Sequence, residues 1–316
     1  VDEGFVSIFN GKDLTGWQGA VGMYGVDPKE PGVLQCFPER KVKGQPGNLL
    51  TVKEYSNFIL RFEFMMTTNG NNGLGIRTTD VNKDAAYHGM CELQLLDDGG
   101  SAYYDSVNKK DLLKPYQYTG SVYGIFPSRR DNVNKQIWGK DKKFTGGGSY
   151  VRTPGMWNFV EVKVIGSEIE YYLNGYLITK GDVSKYKGDG DTPDKRKHPG
   201  LHNKKGYIGW LGHGCKVKWK NIRIKELCEN AKMGECPKAK CCKGPGEGYK
   251  AYFTGCASQL TENWKGVTTK EKFDNPIVRR AATAEKRAQM QKIADDILKE
   301  AYALGGQAVG GKPLCE

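Results

Sequence analysis

The chain has 316 residues, is 38% hydrophobic and carries a formal net charge of +12, so it is long enough for a sizeable core and for more than one domain. No run of about 18 apolar residues occurs, which excludes a helical membrane span. The basic excess is spread along the chain, and the run Lys216-Val217-Lys218-Trp219-Lys220 reads as a strand with one wet face; no nucleic-acid partner is expected.

In chain order, Phe5–Phe9 reads as a strand closed by the turn Asn10-Gly11-Lys12-Asp13. Asn57–Met66 alternates, with Phe58, Leu60, Phe62 and Phe64 on one side, as a strand with one buried face requires. Leu74–Thr78, the stretch from Met90 to Asp97, Gly120–Phe126 and Trp157–Ile165 follow as strands. Glu168–Leu173 turns at Asn174-Gly175 into Tyr176–Thr179, a strong hairpin signal. Gly206–Leu211 and Lys216–Lys225 complete the set. No segment before Cys228 shows a helical period, so the fold class is all-β, an antiparallel sandwich or jelly roll. Long connections at Val21–Gly47, Asp98–Tyr118, Pro127–Val151 and Gly181–Lys205 are expected to shape a binding surface.

The chain is organised around Tyr87–Asp98. Met90, Glu92, Gln94 and Leu96 share one strand face, and Cys91, Leu93, Leu95 and Asp97 the other. The second set suits a core, with Cys91 as a buried free thiol. The first sets a carboxylate beside an amide in mid-strand, where an ordinary half-buried strand carries Thr or Val. Glu92 and Gln94 therefore face either water or a ligand.

After Leu227 the texture changes, which divides the chain into residues 1–227 and a C-terminal module, 228–316. Cys228, Cys236, Cys241, Cys242, Cys256 and Cys315 crowd into this tail, and read as a disulfide staple rather than a zinc site, since no His follows Leu227. Fifteen pairings are open to six cysteines, and whether Cys36 pairs with Cys215 is open too. The staple points to an oxidising location, periplasmic or extracellular, and the start at Val1 to a targeting segment cut off or left out. Asn275-Pro276 opens a helix over about 276–304, with Met290, Ile293, Ile297, Ala301 and Leu304 as its apolar stripe. A homo-oligomer or an envelope assembly through this module is one expectation.

Several motifs in the first 227 residues, taken together, carry a resemblance. They are Gly4-Phe5-Val6-Ser7-Ile8-Phe9-Asn10-Gly11-Lys12-Asp13-Leu14-Thr15-Gly16-Trp17, Asn72-Gly73 with Arg77, and Glu92-Leu93-Gln94-Leu95-Leu96-Asp97. Gly120-Ser121-Val122-Tyr123, Trp157-Asn158, Leu173-Asn174-Gly175, His213-Gly214 and Asn221–Leu227 follow in order. The stretch 3–227 resembles the 3-keto-disaccharide hydrolase family, which implies a concanavalin A-like jelly roll and a carbohydrate partner, a glycoside already oxidised at C3. The family usually reads Gly-Leu-Gln-x-His-Gly before its last strand, whereas this chain has Gly209-Trp210-Leu211-Gly212-His213-Gly214.

A C3 ketone acidifies the C2 proton, so a base can form an enolate and the C1 oxygen then leaves, with water adding afterwards. That chemistry needs a base, a donor for the enolate oxygen and an acid. The resemblance makes Glu92 and His213 the candidates for base and acid and Arg77 the charge for the ketone oxygen. Gln94, Asp97, Tyr123 and Asn158 are the candidate sugar-binding residues; no metal or cofactor is assigned. Ordinary roles compete: Arg77 could pair with Glu92 across strands, His213 could be a turn residue, Asp97 could cap a turn and Tyr123 could be a core aromatic. A two-carboxylate glycosidase is disfavoured, because Gln94 stands where the middle Asp of a Glu-x-Asp-x-x-Glu strand would be. The alternative function is a non-catalytic carbohydrate-binding or assembly protein of the cell envelope on the same fold, which Leu211 and the cystine-rich tail would suit.

Overall fold

The computed structural model describes residues 4–40, 47–105, 107–108, 110–129, 150–152 and 154–233. Among these, the first strands are β1 (Val6–Ser7), β2 (Trp17–Gly19), β3 (Tyr24–Val26), β4 (Leu34–Cys36) and β5 (Asn48–Thr51). Next come β6 (Phe58–Met66), β7 (Asn71–Thr78), β8 (Cys91–Leu96), β9 (Tyr104–Asp105) and β10 (Lys110–Asp111). The last are β11 (Asn158–Ile165), β12 (Glu168–Leu173), β13 (Tyr176–Asp182), β14 (Tyr207–Leu211) and β15 (Val217–Glu226). Eight strands form one sheet, β13-β12-β11-β6-β15-β4-β3 with β1 on β15, and five form the other, β2-β5-β14-β7-β8. Every pairing within the two sheets is antiparallel. The result is a jelly-roll sandwich.

The period-two pattern explains how the sheets close on each other. Phe58, Leu60, Phe62 and Phe64 of β6 and Val160, Val162 and Val164 of β11 are fully buried on the inner face of the large sheet. Leu74, Ile76, Cys91, Leu93 and Leu95 do the same on the small sheet. Trp210 of β14 stacks on Trp219 of β15 at 4.7 Å and meets the edge of Phe62 at 4.9 Å, so aromatic rings join the layers. Each such side chain removed from water contributes about 1.5–3 kcal/mol. Asn174 and Gly175 both adopt positive φ, 49° and 88°, as the two-residue hairpin turn requires.

Three local expectations are corrected. Gly120–Phe126 is not a strand: Gly120 and Gly124 take φ of 78° and 76°, and only isolated bridges tie Val122 to Leu93 and Phe126. The long connection Val21–Gly47 contains β3 and β4. A one-turn helix, α1 (Ala85–His88), stands between β7 and β8, with the Asp84 carboxylate accepting from the Ala86 N–H at 3.0 Å. Cys36, Cys91 and Cys215 carry free thiols, so Cys36 and Cys215 do not pair. Cys228 follows β15, and its carbonyl accepts from Asn57 Nδ2 at 2.9 Å. Cys236, Cys241, Cys242, Cys256, Cys315 and the helix expected at about 276–304 lie outside the described residues. Among the described residues no helix is long and apolar enough to cross a membrane.

Candidate active site

The outer face of the small sheet carries the site. Glu92 and Gln94 point outward from β8, and their partners on β7 are Gly75 and Gly73. Without side chains there, the sheet floor is open, and Glu92 lies across it: a Cβ on Gly73 would sit 1.9 Å from Glu92 Oε1. The turn from β14 to β15 brings His213 over the same spot, with its Nε2 3.7 Å from Glu92 Oε1. That distance suits an ion pair but is too long for a hydrogen bond. The two side chains differ in setting, for Glu92 is 5% exposed and His213 48%.

Burial dominates the electrostatics. It holds the Glu92 carboxyl above the ordinary glutamate value of 4.5, and the nearby Asp84 carboxylate adds to the effect, while His213 partly offsets it. Oε1 of Glu92 accepts no hydrogen bond among the described residues. A buried acceptor without a donor is costly, and a carboxylate kept from water is a stronger base.

Glu92 and His213 open into a hollow of about 290 Å³ that Gln94 and Tyr123 also line. Gln94 gives its amide N–H to Asn71 Oδ1 at 2.7 Å and to the Asn72 carbonyl at 3.3 Å. Tyr123 is placed by the backbone: its N–H donates to the Glu92 carbonyl at 2.9 Å, so the turn 120–126 lies along the edge of β8. Its hydroxyl accepts from Gln117 Nε2 at 3.4 Å. Tyr103 closes another side, with burial pushing its phenol up to about 12. Among the described residues no three His, Cys, Asp or Glu side chains converge as metal ligands would.

Three expected members stand elsewhere. Arg77 is 2% exposed and does not line the hollow. Its φ is 50° and the β7–β14 register slips there, so the residue sits in a bulge that breaks the alternation shared by Gly73 and Gly75. The guanidinium turns away to the carbonyls of Ser56, Gly166 and Asn203, at 2.7–3.2 Å. Burial lowers its pKa to about 10. Asp97, expected to bind sugar, accepts from the Asn69 N–H at 3.0 Å and fastens the turn between β6 and β7. Asn158 lies on β11 of the other sheet, its Oδ1 taken by the Arg152 N–H and Asn174 Nδ2 at 2.8 and 3.0 Å. Leu211 packs with Leu50 and Ala85 in a small apolar cluster and is not part of the hollow's lining.

Several lining residues, among them Asp84, Tyr87, Tyr103 and Arg196, escaped the sequence reading. Tyr87 of α1 and Arg196 of the Gly181–Lys205 connection meet at the hollow, with Arg196 Nη1 donating to the Tyr87 hydroxyl at 2.7 Å. The length of that connection marked it as surface-shaping, but nothing local linked it to Tyr87.

Comparison with known proteins identifies the family. A 3-keto-disaccharide hydrolase of Bacteroides thetaiotaomicron is 26% identical over 251 residues, covering 71% of this chain and 79% of that protein. Two crystal structures from Parabacteroides distasonis, provisionally described as glycosyl hydrolases, superpose with TM-scores of 0.54 and 0.53 at 25% and 24% identity. Each superposition covers 71% of this chain, and 94% and 99% of theirs. The family model for the 3-keto-alpha-glucoside-1,2-lyase-like domain matches residues 4–225, and by that match, on this sandwich, the chain belongs to that family of carbohydrate-active proteins.

Proposed function

We propose that the chain cleaves 3-keto-glycosides by elimination, with Glu92 as the base. The observation that carries this reading is the Glu92 carboxylate itself: buried, raised in pKa by burial, without a hydrogen-bond donor on Oε1 among the described residues, and opening into a sugar-sized hollow beside His213. Glu92 takes the C2 proton, and the C–H electrons form the C2=C3 enolate with its charge on the former ketone oxygen. The enolate then collapses to the ketone, C1=C2 forms and the C1–O bond breaks. The leaving oxygen receives a proton from His213, which is exposed enough to recover one from water. Water then adds across C1=C2. Gln94 and Tyr123 hold sugar hydroxyls. An oxidising compartment for the whole chain remains part of the proposal, resting on the cysteine-rich tail.

A non-catalytic sugar-binding reading rests on Leu211, the apolar residue in place of the family's Gln. Incubation with a 3-keto-glucoside, following loss of the keto sugar, separates the two. Turnover by wild type and its loss in Glu92→Gln is the expected result; sugar binding without turnover above buffer would sink the enzyme reading.

A further inference from the structure

With Arg77 turned away, the enolate oxygen needs another donor, and the hollow offers one. Tyr87 is half-buried in its wall, and Arg196 Nη1 donates to the Tyr87 hydroxyl at 2.7 Å while its guanidinium carbon lies 5.6 Å from the ring centroid. Because the phenol oxygen accepts from Arg196, its own O–H is left to donate, and Tyr87 lines the hollow. A cation on a phenol oxygen strengthens its O–H as a donor. Burial and the neighbouring Tyr123 and Asp194 keep the phenol protonated, so the proton is there to share.

The backing of Tyr87 is rigid. His198 packs against it at 5.0 Å between ring centroids. The His198 side chain is fully buried, and its Nε2 meets the two Asp194 oxygens at 3.1 and 3.2 Å. Asp194 also accepts from the Arg196 N–H at 3.0 Å and from the Thr192 hydroxyl at 2.8 Å. The same carboxylate therefore sets both the ring against Tyr87 and the backbone that carries Arg196. Donors held this firmly before the reaction are what stabilise charge that appears only in the transition state.

We infer that Tyr87, polarised by Arg196 and held by the His198–Asp194 pair, donates the hydrogen bond that stabilises the enolate oxygen. Tyr87 is then a catalytic residue, and Arg196, His198 and Asp194 are positioning residues. This inference rests on the elimination reading above. No bond to Tyr87 forms or breaks: the C2 proton goes to Glu92, and the phenol keeps its own.

The test uses two substrates with the full chain. A 3-keto-glucoside reports elimination, and 3-keto-1,5-anhydroglucitol, which has no glycosidic oxygen at C1 to expel, reports enolisation through exchange of its C2 proton in D₂O. Tyr87→Phe keeps the ring against His198, so the fold is preserved and checked by thermal melting. It is expected to lower kcat and the exchange rate by about 10²–10³ with KM changed little, and Arg196→Met to fall between it and wild type. If Tyr87→Phe stays near wild type while Glu92→Gln is inert, or raises only KM, the inference fails and the elimination reading stands. A wild-type protein inert toward both substrates would overturn the elimination reading, and this inference with it.

Discussion

The carboxylate of Glu92 occupies the space that a side chain at position 73 would fill: a Cβ on Gly73 would come within 1.9 Å of Oε1 and 2.6 Å of the carboxyl carbon. The proposed base is thus positioned by an absence on the neighbouring strand. Gly73→Ala is expected to push the carboxylate out of line and to lower kcat by about 10²-fold, with KM little changed. Steady-state kinetics on a 3-keto-glucoside check this; unchanged kcat would mean that the carboxylate position does not matter.

The raised pKa of Glu92 has a consequence for stability. The unfolded chain ionises this residue near 4.5, the folded chain only at higher pH. Between those values the unfolded state binds fewer protons, so stability is lost as pH rises through the window. Glu92→Gln removes that loss. Its melting temperature is expected to exceed that of wild type near neutral pH, and the gap to close as pH falls below about 4.5. Calorimetry at the two pH values measures it.

In the proposed mechanism the same shift sets the acid limb of activity. A base must be ionised, so kcat/KM is expected to rise with pH through an apparent pKa above the ordinary value of 4.5. A pH–rate profile with its acid limb at or under that value would place the base elsewhere.

Arg77 is a structural staple, and its loss should show as instability. Arg77→Met leaves the carbonyls of Ser56, Gly166 and Asn203 without a donor, which costs about 3 kcal/mol or more. Urea unfolding should show that loss, while the protein that remains folded keeps its kcat. A large fall in kcat at unchanged stability would return Arg77 to the chemistry.

Leu211 is buried beside Leu50 and Ala85. Leu211→Gln puts an amide into that cluster and is expected to cost about 1–3 kcal/mol. Because Leu211 does not line the hollow, turnover should not rise. A gain in kcat would show that this position limits catalysis.

What could be read in the sequence was local. Alternation in β6, β8 and β11 set their inner faces, since a side-chain period of two leaves a strand with one buried face little choice. Asn174-Gly175 announced its own turn because both positions need positive φ. Glu92 and Gln94 stood out as polar residues in a strand pattern that favours apolar ones, and the family motif added His213.

Tertiary pairing decided the rest. Arg77 belongs by parity to the face of Glu92, yet the extra residue that β7 holds against β14 turns it the other way. Asn158 is polar in mid-strand like Glu92, but β11 lies in the other sheet. Tyr87 and Arg196 are separated by 109 positions and meet only because α1 and the Gly181–Lys205 connection close over the same strand ends. The chain by itself determined which residues are inside each strand, because that depends on neighbours two positions away. Which polar groups share the hollow depends on sheet order, one bulge and two distant segments meeting, and none of these has a short-range signature.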